Sequence, residues 1–175
     1  PYLDGIWSYC LGGAYAAKGD LISARRELGK IWQITSLYNV NQYRVGPTPV
    51  SSLLKLAALG LSGEIKQASG ALNEAIVDYQ AAVKLEDQNG YIEPPDWPQP
   101  IRHYLGAALL EAGRAPEAEA IYRQDLAWHQ NNGWALFGLW QSLAAQGKAL
   151  EAEETFKAYK HAWRDADTKL SGSRF

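Results

Sequence analysis

The side chains of this 175-residue chain that could do acid–base, nucleophilic or metal chemistry are few and scattered. His103, His129 and His161 stand 26 and 32 residues apart, and neither cysteine nor carboxylate is read at ligand spacing from them. Each reads as a structural or surface histidine. The single Cys10 excludes an intrachain disulfide and an all-cysteine metal site. Within the apolar run Tyr9–Leu11 it reads as a small core residue. Glu93 and Asp96 are near enough in sequence to serve as acid and base, held by the prolines around them. The plainer reading makes both solvated loop carboxylates, with Asp96 a turn residue ahead of Trp97-Pro98. No phosphate-binding, dinucleotide-binding, zinc-protease or serine-hydrolase motif is present. The expectation is therefore of no enzyme, no cofactor and no metal.

Composition narrows the partners. A net charge of −2, with lysines and arginines spread along the chain, gives no footprint for nucleic acid. No apolar run approaches the ~18 residues that a membrane span needs, so no membrane insertion is expected. The chain contains no methionine and reads as a fragment or a processed product. Its seven Trp and ten Tyr, at helical spacing, read mainly as core.

The elements that must position these residues repeat along the chain. LGAALLEAGRAPEAEAIYRQDL, from 105, superposes on LWQSLAAQGKALEAEETFKAYK, from 139, at an offset of 34 residues. Gly113 falls on Gly147, Ala118 on Ala152 and Tyr122 on Phe156. The segment from 11 lays Leu11, Gly12, Tyr15, Gly19, Ala24 and Leu28 on the same template. A weaker copy carries Gly70, Ala75, Tyr79 and Ala82. Each copy predicts a helical hairpin. A first helix with an apolar stripe ends on a glycine that adopts positive φ. A small residue such as Gly12 or Gly106 lets the second helix approach, and that helix sets a small and a large apolar residue one turn apart. Pro116 belongs in the first turn of its helix, where the missing N–H costs nothing.

These residues resemble the tetratricopeptide repeat, with its pattern W-x2-L-G-x2-Y, turn Gly, A-x3-F and its period of 34. The run EPPDW, LGAALLEAGR and NGWALFGL further resembles the C-terminal part of a family of long, often exported bacterial tetratricopeptide-repeat proteins. The resemblance implies an all-α, right-handed helical-hairpin solenoid, and a bacterial, exported or periplasmic setting. The expected organisation is a single array over 1–175, with hairpins at about 2–36, 50–87, 99–130 and 132–165 and a tail at 166–175. The second hairpin is expected to be irregular, because Lys66 stands where the repeat has Tyr and Ser62 where it has Leu. Trp140, bulky at a small-residue position, is expected to pack against the tail.

In such an array the first helices line a concave groove. The resemblance places Ile6, Tyr9, Gly13 and Ala16 there from the first copy, and Ala57, Gly60, Glu64 and Gln67 from the second. Pro100, His103, Ala107 and Leu110 follow from the third, and Trp134, Phe137, Gln141 and Ala144 from the fourth. The candidate groove residues are Tyr9, Glu64, Gln67, His103, Trp134, Phe137 and Gln141. No Lys or Arg is among them, which argues against capture of an acidic terminus, since a desolvated carboxylate needs cationic partners. The function expected is a non-catalytic protein–protein interaction scaffold. Its groove would take an apolar to weakly basic peptide or protein segment. The alternative is a small-ligand or substrate-binding accessory module of an exported protein, with an aromatic pocket near Trp97, His103, Trp134 and Phe137. A third reading is self-association, which an exposed strip around Tyr2, Ile6 and Tyr9 would support.

Two stretches exceed the period, by 17 residues around SLYNVNQYRVGPTPVSS and by 9 around DQNGYIEPPDWPQP. In the second, each X–Pro step disfavours helix before it. Trp97 is expected to plug the junction of the second and third copies, making the insertion one that sets the angle between hairpins.

Overall fold

A first helix turns back into its partner only where the backbone can enter the left-handed region, which an L side chain resists. Gly19, Gly70, Gly113 and Gly147 do so, with φ of 78°, 83°, 72° and 72°. The computed structural model describes residues 1–90 and 92–174, and of Tyr38 only the backbone. Among the described residues are eight α-helices: α1 (Tyr2–Ala17), α2 (Leu21–Thr35), α3 (Val50–Ala68), α4 (Leu72–Glu86), α5 (Ile101–Glu111), α6 (Ala115–Trp128), α7 (Gly133–Ala145) and α8 (Ala149–Ala162). They pair in sequence into four hairpins, grouped two and two in compact units, Pro1–Ile101 and Arg102–Phe175. Among the described caps, side chains start α2 and α7. Asp20 accepts from Ser23 N at 3.0 Å, and Asn132 Oδ1 accepts from the amides of Trp134 and Ala135.

In the first unit α3 is a continuous helix of 19 residues. Lys66 does not interrupt it, because its ammonium pairs with Asp78 of α4 at 2.6 Å. The irregularity of the second hairpin lies ahead of it. Residues 38–42 form a 3-10 turn, and Arg44–Val45 pairs antiparallel with Thr48–Pro49 around Gly46. Val40 of this connection is buried in the core beside Ile31, Val50 and Leu54.

Small residues on first helices receive large ones from second helices. A Cβ on Gly63 would lie 2.4 Å from the Tyr79 ring, and one on Gly106 would lie 2.3 Å from the Tyr122 ring. The equivalent pair of the last hairpin is Trp140 and Phe156, with ring centroids 4.8 Å apart. There a second aromatic takes the place of glycine, and Phe137, Tyr159 and Trp163 extend the cluster.

α3 meets the first hairpin through Leu54, Ala58, Leu61 and Ile65, all buried, with Leu54 over Gly5 and Leu61 over Gly12. The same positions on α1, 51 residues earlier, are Leu3, Trp7, Cys10 and Ala14. Leu3 is 77% exposed and Trp7 70%, and Cys10 and Ala14 are exposed as well. Cys10 is therefore not the core residue that its apolar neighbours led us to expect. One helical step of ~100° separates adjacent side chains, and Cys10 lies on the outer strip while Tyr9 packs inward. The strip expected around Tyr2, Ile6 and Tyr9 is likewise displaced by one residue, for those three are half-buried.

Candidate segment-binding site

In the first unit Tyr9 and Gly13 of α1 share a side with Gly60 and Glu64 of α3. A Cβ on Gly60 would lie 3.7 Å from Tyr9 Cε2, and one on Gly13 would lie 3.6 Å from the Glu64 carboxylate. Gln67, one turn on, accepts from the Tyr79 hydroxyl at 3.1 Å. Over this side comes Trp97 from EPPDWPQP, 7% exposed, its ring edge-on to Tyr9 with centroids 5.2 Å apart. Trp97 is thus seated on the first hairpin. Burial, and then the nearby Asp96 charge, push the Tyr2 hydroxyl above its ordinary value. Asp96 is half-buried and Glu93 exposed, so the two acidic groups occupy different surroundings. Glu86 accepts from the amide of Ile101 at 3.1 Å, which satisfies an orphan donor at the start of α5.

In the second unit His103 on α5 is 1% exposed, and its Nε2 lies 3.0 Å from Asp125 Oδ2 on α6. Asp125, fully buried, meets His129 Nδ1 with its other oxygen at 2.9 Å. A carboxylate only accepts, so His103 carries its proton on Nε2. Its Nδ1 is buried and has no hydrogen-bond partner among the described residues. Burial acts to raise the Asp125 carboxyl, but hydrogen bonds and positive charge from His103 and His129 hold it below the ordinary value. Asp125 stands one helical turn before His129, so a carboxylate does lie close to a histidine, contrary to the sequence reading. The pair forms a buried polar bridge between two helices. Among the described residues no group of three or more His, Cys, Asp or Glu is placed to hold a metal.

Tyr122 of α6 is buried and wedged between Gly106 of α5 and Gly138 of α7, whose Cβ atoms would fall 2.3 and 2.2 Å from its Cζ. The ring is thus fixed and its hydroxyl emerges beside α5. There it meets Ser173 Oγ at 2.6 Å. Ser173, 1% exposed, donates to the carbonyl of His103 at 2.9 Å. The serine proton is committed to that carbonyl, so Tyr122 is the donor to Ser173. Arg174 follows with its guanidinium carbon 5.8 Å from the Tyr104 ring centre. Earlier in the same segment the Trp163 indole N–H donates to the carbonyl of Thr168 at 2.7 Å. The hydrogen-bonded anchors of the segment are therefore Trp163, Tyr122 and His103, while the ring neighbours of Trp140 are Phe137 and Phe156.

The remaining candidates sit on α7. Trp134 is half-buried and edge-on to Trp163 at 5.4 Å. Phe137 is 8% exposed, packed against Trp140 and Tyr159, and Gln141 is half-buried. Substituting Phe137 thus tests stability before it tests binding. Tyr104, Tyr122, Ser173 and Arg174 were not among the sequence candidates. A signal for Tyr122 existed in its superposition on Tyr79 and Phe156, opposite Gly106.

With this geometry the chain is similar to solved structures that include one described as the crystal structure of MamA protein. The TM-score is 0.52 at 15% identity, over 95% of this chain and 97% of that one. The fold is tetratricopeptide-repeat-like. No family model matches the chain, and no curated protein matches it. The likeness to MamA speaks to the fold and to nothing finer. Among the described residues no helix is long and apolar enough to cross a membrane.

One ionic hub braces the repeats of the second unit. Glu119 of α6 accepts from Lys148 at 2.6 Å, from Gln146 at 2.7 Å and from Arg123 at 2.8 Å. The Lys148 hydrogen bond, opposed by burial and helped by Gln146 and Arg123, holds its carboxyl at about 2. A depressed carboxyl stabilises the fold above its unfolded value, and that stability is lost as the pH falls through the folded one. Wild-type melting temperature is expected to drop between about pH 4.5 and 2, and Glu119→Gln to flatten that limb while lowering stability near neutrality. Circular-dichroism melts across this range check it; parallel acid limbs would show that the hub contributes nothing.

Proposed function

We propose that the chain is a non-catalytic interaction scaffold that takes an extended polypeptide segment against the inner side of its first helices. One observation carries the reading. In each unit a non-helical stretch of the chain itself packs against a first helix, with Trp97 on Tyr9 of α1 in the first unit and Ser173 on the His103 carbonyl of α5 in the second. A surface that accommodates irregular backbone and an aromatic or hydroxyl side chain suits a segment of similar chemistry. Of the candidate positions, Tyr9, Glu64 and Gln67 in the first unit and Trp134 and Gln141 in the second are partly exposed; in each unit they offer no fixed cation, and Glu64 is a carboxylate, which favours an apolar to weakly basic partner over an acidic one.

The test pans a random peptide library on the immobilised chain, with Glu64→Arg and Gln141→Arg variants as counter-targets. Enriched peptides should bind the wild type and lose at least about tenfold, or ~1.4 kcal/mol, to one of the variants. Absence of enrichment, or binding indifferent to both substitutions, would overturn the reading.

A further inference from the structure

The second unit defines what such a segment would carry. The Tyr122 hydroxyl is a donor fixed in place by two glycines, and the His103 carbonyl is an acceptor reached by the same group. Whatever sits between them must accept one hydrogen bond and donate another from a single small atom. A serine or threonine hydroxyl does this, whereas a carboxylate cannot donate and a methyl can do neither. Leaving the buried Tyr122 donor without an acceptor would cost about 1–3 kcal/mol, so the slot is kept filled. Next to it the Tyr104 ring receives the Arg174 guanidinium, a contact that favours arginine at the following position.

The occupant is held by side chains more than by backbone. Residues 167–174 form no helix or strand, and the described anchors are the Thr168 carbonyl, the Ser173 hydroxyl and the Arg174 guanidinium. An occupant tied down in this way can be exchanged for another with the same two groups. We infer that the slot formed by Tyr122, the His103 carbonyl and the Tyr104 ring is a recognition site for a hydroxyl residue followed by arginine. Ser173–Arg174 of the chain is its resident ligand. The inference rests on the segment-binding reading above and names the chemistry of the segment.

The probe is the labelled peptide TKLSGSRF, the sequence of residues 168–175. It is titrated by fluorescence anisotropy against the full chain and against the full chain carrying Ser173→Ala and Arg174→Ala. The peptide should bind the emptied chain at least about tenfold more tightly than the wild type, whose slot is filled. The advantage should vanish when the peptide serine equivalent to Ser173 is replaced by alanine, and when Tyr122→Phe is added to the emptied chain. Tyr122→Phe keeps the ring between the glycines and removes only the oxygen. If the double variant does not fold, Ser173→Ala alone, which removes one oxygen, serves as the emptied chain. Equal binding by peptides with and without the hydroxyl, or no binding to a folded emptied chain, overturns the slot. Library peptides that lack the hydroxyl–arginine step but obey the counter-targets would preserve the scaffold reading while the slot falls.

Discussion

Gly138→Ala is expected to lower the melting temperature, even though alanine is the better helix former. Helix propensity alone favours the change by about 1 kcal/mol. Against it stands the Tyr122 ring, with Cζ, Cε1 and Cε2 at 2.2, 2.4 and 2.7 Å from the new Cβ. The ring cannot retreat, because Gly106 closes on it from α5 with a Cβ position 2.3 Å from the same Cζ. Overpacking of this kind costs about 1–3 kcal/mol, and a ring blocked on two sides belongs at the upper end. The net loss is about 2 kcal/mol, which for a chain of this length lowers the melting temperature by roughly 4–8 °C. Gly29→Ala is the control. It lies inside α2 with nothing among the described residues within 4 Å of its Cβ position, so propensity acts unopposed. It should raise stability by about 0.5–1 kcal/mol. Should Gly138→Ala melt at or above the wild type, the wedge does not exist as described.

Asp125→Ala carries the other large effect. The substitution leaves the Nε2 proton of His103, 1% exposed, with no acceptor, and frees the Nδ1 of His129. Breaking a buried, hydrogen-bonded pair from one side costs about 3–5 kcal/mol. Denaturant titration should show that loss in the midpoint at unchanged slope. Asp125→Asn retains an oxygen for His103 and should lose clearly less. The Asp125 carboxyl sits below its ordinary value in the fold, so the stability it confers is present above about pH 4 and disappears as the pH falls through the folded value. The gap between wild type and Asp125→Asn should therefore close in acid. Equal losses for the Ala and Asn variants at neutral pH would mean that the bridge to His103 is not what holds α5 to α6.

The hairpins were legible because one physical requirement recurs. A glycine must end each first helix, and Gly19, Gly70, Gly113 and Gly147 mark the sites without ambiguity. The match of Gly106 to Tyr122 was also within reach, since small opposite large is a packing rule that survives without coordinates. Gly138 was not, because its role depends on α7 approaching the same ring from another helix. Cys10 misled for a related reason. Its neighbours are apolar, but whether a face is covered depends on what stacks against it, and the strip of Leu3, Trp7 and Cys10 is left open. The half of the polar bridge from Asp125 to His129 is one helical turn and could have been read. The half from His103 to Asp125 spans 22 residues and needs the register of the hairpin. Ser173 was illegible altogether, since nothing in SGSRF announces that its hydroxyl returns to a helix 70 residues earlier.

That return changes how the second unit comes apart. Hairpins that touch only their neighbours can be shed singly from an end, and chains with such local contacts fold fast. The bonds from Ser173 to Tyr122 and to the His103 carbonyl span 51 and 70 residues and tie the stretch after α8 to α6 and α5. Closing so long a loop costs chain entropy, which delays the last step of folding. Once closed, the loop acts as a clasp. Unless another hydroxyl takes the place of Ser173, the stretch after α8 cannot come loose without exposing the Tyr122 donor, and α5 cannot leave without releasing that stretch. While Ser173 holds its place the unit therefore opens as one cooperative block, where a plain stack would fray from its edge.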